Sequence, residues 1–219
     1  MYRIIGINSS GQLKLIKKEA LNTGYFWYHV YASNLPWNDS HLFKGLNGIS
    51  GGNYSNLFIG NSTYMPSGWS DKIADTSWKY GMTSSVTDMT VSWILSKEAS
   101  WSNSVEAKIG LMYLSDYAYG LNGGTHCTHT SSVYTTCKTS WIHLSNNDAN
   151  PPHPTEWTMV FMGYYQGTYF SAWSVQQSGM LSHAIAINNL VSVRPVFYLN
   201  RDVNYKSGSG TSTDPFIIE

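Results

Sequence analysis

The stretch Val191–Asn200, VSVRPVFYLN, sets an arginine beside a proline inside a run of apolar and β-branched residues that otherwise reads as a buried strand. A guanidinium keeps its charge and is costly to desolvate unless carbonyl or carboxylate groups receive its donors, so Arg194 predicts a buried acceptor close to this strand. Pro195 removes one ladder donor, which leaves an edge strand with Arg194 snorkelling to water as the alternative. In both readings the segment is a strand, and the rest of the chain is read outward from it.

With 219 residues the chain is long enough to bury a substantial core as one domain over 1–219. Charged residues make up 12% of it, about half of the roughly 25% usual in soluble domains. Gly, Ser, Thr, Asn, Tyr and Trp carry the polarity instead, which predicts a neutral, hydroxyl-rich surface. Net charge is zero, the pI is about 7.0 and there is no basic run. The long-range attraction that brings proteins to nucleic acid or anionic membranes is therefore missing, and neither is an expected partner. Sixteen Tyr and nine Trp are amphipathic rings that fill β-sheet cores and also stack on sugars or anchor interfaces; most are expected in the core.

No apolar run approaches the roughly 20 residues that span a bilayer, and MYRIIGI lacks the basic and long apolar segments of a signal peptide. The two cysteines, Cys127 and Cys137 in CTHTSSVYTTC, enclose nine residues, a loop that a disulfide closes easily. The low charge and hydroxyl richness fit an extracellular or surface location where such a bond persists. Two free thiols are the alternative. His126 and His129 flank Cys127, but the pair spacing of a structural zinc site is absent, and no metal or other cofactor is expected.

YRIIGINSSGQLKLIKKEAL reads as a hairpin turning at Ser-Ser-Gly, with Leu13 and Leu15 alternating with Lys14. LPWNDSHLFKGLNG carries cap residues Asn38, Asp39 and Ser40, then Leu42, Phe43 and Leu46 at helical spacing, and Gly48 to end a short helix. SVTDMTVSWILS is a strand or a short helix, and KIGLMYLSDYAYG starts as a strand and ends in a Ser-Asp turn. NNDANPPHPTEW is a proline-broken loop before the strand candidates WTMVFM, AWSVQ, MLSHAIAI and VRPVFYL. The tail turns on its glycines and returns a last strand, Phe216–Ile218, to the sheet. The pattern predicts a loop-rich α+β fold whose terminal strands pair in one small antiparallel sheet, with one or two short helices.

The chemistry-bearing motifs are sparse. Trp37-Asn38-Asp39 has the form of a calcium-binding triplet, but helix capping with Trp37 as the hydrophobic staple accounts for it. Asp71 with Asp75, or Asp116 with Glu106, are the acidic pairs a glycosidase would need, each in a polar turn where solvation suffices. His126, His129, His143 and His153 fall in the loop-rich middle without metal-ligand spacing, and no nucleophile elbow or phosphate-binding glycine loop occurs.

Taken together, YRIIGI with LKLIKKEAL, PWNDSHLFKGLN, IGLMYLSDYAYG, AWSVQQSGML with VSVRPVFYLN, and SGSGTSTDPF resemble a family of bacterial surface domains of Gram-positive gut organisms. That family is similar to the C-type-lectin-like fold shared by formylglycine-generating enzymes and the variable proteins of diversity-generating retroelements. The resemblance implies a structural Arg194 that clamps carbonyls or a carboxylate, with Asp116 one candidate. It implies a ligand surface in the segment before the last strands, about 162–189. There Tyr164, Tyr165, Tyr169 and Phe170 stand among glycines and small polar residues, as in antibody binding loops, with Gln176 and His183 as neighbours. Trp173 belongs to the same segment, although the family pattern sets it in the core. The oxidases of the wider fold use a late cysteine pair that this chain lacks, so their activity is not implied.

These readings favour a non-enzymatic adhesin- or receptor-like domain that binds a glycan or protein. The alternatives are a structural or assembly subunit whose aromatics pack against another copy, and a hydrolase or metal-dependent enzyme.

Overall fold

The computed structural model describes residues 1–28, 36–83, 91–120, 140–165, 169–211 and 213–219, except for the side chains of Tyr164, Tyr165 and Tyr169. Cys127 and Cys137, with the disulfide expected between them, and His126 and His129 lie outside the described residues. In chain order the strands are β1 (Tyr2–Ile7), β2 (Leu13–Lys17), β3 (Thr76–Lys79), β4 (Ser104–Ala107), β5 (Ile109–Gly110), β6 (Glu156–Tyr165), β7 (Tyr169–Val175), β8 (Leu181–Ile185), β9 (Val196–Tyr198), β10 (Tyr205–Ser207) and β11 (Ile217–Ile218). The helices are α1 (His41–Leu46), α2 (Val91–Ser100) and α3 (Leu114–Tyr119). No helix among the described residues is long and apolar enough to cross a membrane.

The fold is α+β, with small antiparallel sheets and few helices. One sheet has the order β1-β2-β9-β5, a second the order β6-β7-β8, and β3-β4 and β10-β11 form two-stranded ribbons. The N-terminal hairpin forms over the residues expected, with Leu15 opposite Phe197 of β9, but Leu13 is exposed and Lys14 buried, against the alternation. The C-terminal strand does not return to this sheet. It pairs with β10 in a separate ribbon, because the Asp214 carbonyl accepts from the amides of Ser209, Gly210 and Thr211 and folds the tail back on itself. Gly208 has φ of 98°, and a Cβ there would collide with the Pro215 carbonyl, so the turn requires glycine.

Helix α1 starts where its cap residues predict. The Ser40 side chain accepts from the Phe43 amide at 2.9 Å, and Trp37 packs edge-on against Phe43 with ring centroids 5.5 Å apart. Asp39 is held by Lys44 at 2.6 Å. The segment read as a Ser-Asp turn is instead helix α3, because Asp116 accepts from the Tyr113 amide at 2.7 Å and caps the first turn. Five tryptophans, Trp27, Trp37, Trp78, Trp157 and Trp173, are among the largest fully buried side chains. One core of buried residues runs from Leu15 through Trp157 to Leu199.

The opening stretch joins the two larger sheets. Val191 and Tyr25 exchange backbone bonds, Ser192 bridges Glu156 at the head of β6, and β9 lies between β2 and β5. Between these attachments Arg194 meets its acceptor. Its Nε and Nη2 donate to the Glu156 carboxylate at 2.7 Å each, and Nη2 also donates to the Ile142 carbonyl at 2.6 Å. Both side chains are closed to solvent, at 0% and 1% exposure. The partner is therefore Glu156 and not Asp116, whose carboxylate is bound to Lys14.

A bidentate pair in this setting recovers in Coulomb and hydrogen-bond energy what desolvation costs, so losing one partner is far worse than losing both. Nη1 of Arg194 has no hydrogen-bond partner among the described residues, which weakens the pair's net contribution further. Arg194→Met and Glu156→Ala should each lower stability by about 3–5 kcal/mol, while Arg194→Met combined with Glu156→Leu should recover most of that loss. Urea unfolding of the four proteins measures this, and single losses below about 1 kcal/mol would contradict a closed, charged pair.

Candidate functional site

All seven residues expected at a ligand surface map to the β6-β7-β8 sheet or the turn that follows β7, but the structure divides them into three groups. At one end, β6 and β7 converge with Tyr164 opposite Phe170 and Tyr165 opposite Tyr169. The side chains of Tyr164, Tyr165 and Tyr169, and residues 166–168, lie outside what the structure describes. The β6 register shifts between Phe161 and Gly163, and the Met82–Thr83 segment closes the irregularity through a bridge to Phe161. Gly163 has φ of 98°, and a Cβ would lie 2.6 Å from Met82 Sδ, so only glycine lets that segment approach.

The second group is internal. Phe170 is 7% exposed and stacks on Phe161 with centroids 6.2 Å apart. Trp173 is 0% exposed, and its indole donates to the Thr83 carbonyl at 2.9 Å. β7 is the middle strand of its sheet and residues 170–175 are all buried, so the two rings, on opposite faces, both meet packed surroundings, which removes them from direct ligand contact.

The third group is Gln176 and His183, which the structure brings to one open groove of about 270 Å³. The groove is lined as well by His153, Thr155, Ser174, Ala184, Ile185, Asn189 and Val191. It lies toward the far end of β7 from the Tyr165–Tyr169 pair, roughly 20 Å away at about 3.3 Å per residue. Its lining comes from the head of β6, the end of β7, β8 and the turn that leads to Val191. Each segment is anchored. Ser192 Oγ donates to the His153 carbonyl at 2.7 Å and accepts from its amide at 3.1 Å, and Asn189 Oδ1 accepts from the Ile185 amide at 2.8 Å. The β7-β8 turn is held from beneath by two buried rings. The Tyr117 hydroxyl donates to the Gly179 carbonyl at 2.8 Å, and His143 Nε2 lies 3.1 Å from the Gln176 carbonyl. A carbonyl only accepts, so Nε2 carries the proton, and Nδ1 meets Ser145 Oγ at 2.6 Å.

Among the described residues, no Lys, Arg, Asp or Glu lines this groove. Ser174 Oγ and His153 Nδ1 are buried without a hydrogen-bond partner among the described residues, although Ser174 is 0% exposed. A larger groove of about 450 Å³ near the N-terminal hairpin has a different character. Several of its polar groups are bound to one another, Tyr2 to the Tyr64 carbonyl at 3.2 Å, the Asn22 backbone amide to the Tyr64 hydroxyl at 2.9 Å, and Lys17 to the Glu19 carbonyl at 2.9 Å, and none of its lining residues has a buried side-chain polar atom left without a partner among the described residues. Unspent hydrogen-bonding capacity therefore marks the smaller groove as the better candidate. Sequence does not mark Thr155, Ser174 and Asn189 as site residues, and it raises His153 only among the middle histidines as a metal ligand, because each is an ordinary loop or strand residue until the turn at 185–191 brings them together. Set beside protein-family models, curated proteins and solved structures, the chain matches none of them.

Asp116 serves a separate cluster. Lys14, read from sequence as a polar-face residue of β2, is 4% exposed, and its ammonium lies 2.8 and 2.6 Å from the two Asp116 oxygens. The Tyr113 ring centroid is 4.6 Å from the same ammonium, with Trp78 and Tyr198 each at 5.8 Å. Both Asp116 oxygens are thus engaged structurally. Glu98 of α2 faces this cluster and accepts from the Ser115 amide at 3.2 Å. Burial pushes its carboxyl up from 4.5 to about 7, with the neighbouring Asp116 charge adding to the rise. A carboxyl raised on folding binds more protons in the folded state, so stability is highest below about pH 4.5 for this group and falls as pH rises through 7. Replacing Glu98 by Gln should flatten that fall, by roughly 1–3 kcal/mol between pH 5 and pH 8. Chemical unfolding of both proteins across that range checks it, and parallel curves would contradict the raised carboxyl.

Proposed function

We propose that the chain is a non-enzymatic binding module of the C-type-lectin-like kind, secreted or displayed at a cell surface, that recognises a glycan through the β6-β7-β8 sheet. One observation carries this reading: Gln176 and His183, expected at a ligand surface from sequence, meet in a groove where the buried Ser174 Oγ and His153 Nδ1 have no hydrogen-bond partner among the described residues. The α+β architecture, with the N-terminal hairpin pairing to a late strand and long connections between elements, supports the fold assignment. The low charge of the chain suits a ligand recognised by hydroxyl and amide groups.

The hydrolase alternative read from sequence would use acidic residues such as Asp116, whose two oxygens are both taken by Lys14, and a hydrolase in the groove would need Ser174 with one of its histidines. Ser174 Oγ makes no hydrogen bond to either imidazole, so no base activates it in this structure. A protein partner and a second copy of the chain remain as outcomes of the test. Glycan-array and pull-down screens should be run on the native chain, on Gln176→Ala with His183→Ala, and on Tyr164, Tyr165 and Tyr169 all changed to Ala. The expected result is a glycan signal that weakens by about tenfold or more in at least one variant. Detected interactions that all survive both variants unchanged would overturn a binding surface on this sheet, and pull-down of the chain by itself alone would favour assembly.

A further inference from the structure

The geometry points to a narrower ligand: we infer that the 270 Å³ groove is a subsite for one neutral, hydroxyl-rich ring, a single sugar residue of a glycan. This rests on reading the chain as a binding module and specifies which chemistry the groove accepts.

The first ground is Ser174. Its side chain is fully buried, it lines the groove, and its hydroxyl has no partner among the described residues. A buried hydroxyl without a partner is unfavourable, and native structures keep few such groups unless a water or ligand completes them. His153 Nδ1 is buried and unpartnered in the same way. Three more groups of the lining have capacity to spare: among the described residues no hydrogen bond is formed by the Thr155 hydroxyl or the Gln176 side-chain amide, and Asn189 uses only its Oδ1.

The second ground is the kind of donor. Hydroxyls and amides both donate and accept, as sugar hydroxyls do, whereas Lys, Arg, Asp and Glu are missing from the lining among the described residues. A phosphate, carboxylate or ammonium ligand would meet no Lys, Arg, Asp or Glu counter-charge among the described lining residues. The third ground is shape. Ala184, Ile185 and Val191 give the groove an apolar side, and a pyranose presents C–H faces beside its polar edge. The volume lies just under the roughly 300–1,000 Å³ of drug-sized sites, which suits one ring and not an extended chain.

The test is titration of the 15N-labelled full chain with glucose, galactose, mannose, N-acetylglucosamine and fucose, each in millimolar excess. At least one sugar should give saturable amide shifts confined to residues 153–155, 174–176 and 183–191. Ser174→Ala and Gln176→Ala should each weaken that binding by about tenfold. Ser174→Ala removes one oxygen from a buried site, and Gln176→Ala alters a partly exposed side chain, so the second variant decides should the first fail to fold. Groove amides that stay still with every sugar, or shifts that both variants leave unchanged, would overturn the proposal. If the groove is silent while changing Tyr164, Tyr165 and Tyr169 to Ala abolishes binding to a screened partner, the sugar subsite falls and the binding-module reading stands.

Discussion

The Arg194–Glu156 pair is the constraint around which the rest of the molecule is arranged. Two charges closed to solvent hold only because the guanidinium meets the carboxylate with two parallel bonds and reaches the Ile142 carbonyl with a third contact. Each of these partners belongs to a different part of the chain. Arg194 leads into β9 of the first sheet, Glu156 opens β6 of the second, and Ile142 lies in the loop that precedes it. The pair thus fixes three segments against one another where the backbone offers no continuous sheet. That geometry extends to the groove. Ile142 is followed by His143, whose imidazole supports the Gln176 carbonyl, and Glu156 is preceded by Thr155 and His153, which line the same groove.

The abundant aromatics divide by location into structure and candidate function. Trp27 packs against Trp37 at 5.1 Å and Trp157 at 5.7 Å, and Trp78 and Tyr113 surround the buried Lys14 ammonium. Such rings give a chain with few charges a core of large, stiff side chains, and some of them place a polar atom on a carbonyl, as Trp157 does on Tyr25 and Trp78 on Ala107. The aromatics of β7 follow the same rule, which is why Phe170 and Trp173 belong to the core and the groove is lined mainly by small polar and aliphatic residues.

Much of the local structure was legible from residue chemistry. Alternation marked the N-terminal hairpin, Ser40 marked the start of α1, and the lone arginine in an apolar strand demanded an acceptor. The identity of that acceptor was not legible, because sequence separation says nothing about which carboxylate folding brings near. A clue was present in Glu156, an acidic residue at the head of a strongly apolar run, since two isolated charges in two buried strands satisfy each other. Lys14 misled for the opposite reason. Its alternation with Leu13 and Leu15 suggested solvent, but the carboxylate and rings that bury it come from α3, β3 and β9. The groove was half visible, in Gln176 and His183. Its other walls depend on a turn that crosses from β8 to Val191, and no local pattern encodes that crossing.

The most direct measurement of how the buried pair organises the groove is amide hydrogen exchange on the native chain and on Glu156→Gln, under conditions where both are folded. The expected result is loss of protection in residues 140–147 and in the 176–180 turn, with the β1-β2 hairpin unchanged. Equal loss across all three regions, or unaltered protection at 140–147 and 176–180, would contradict the central role given to this pair.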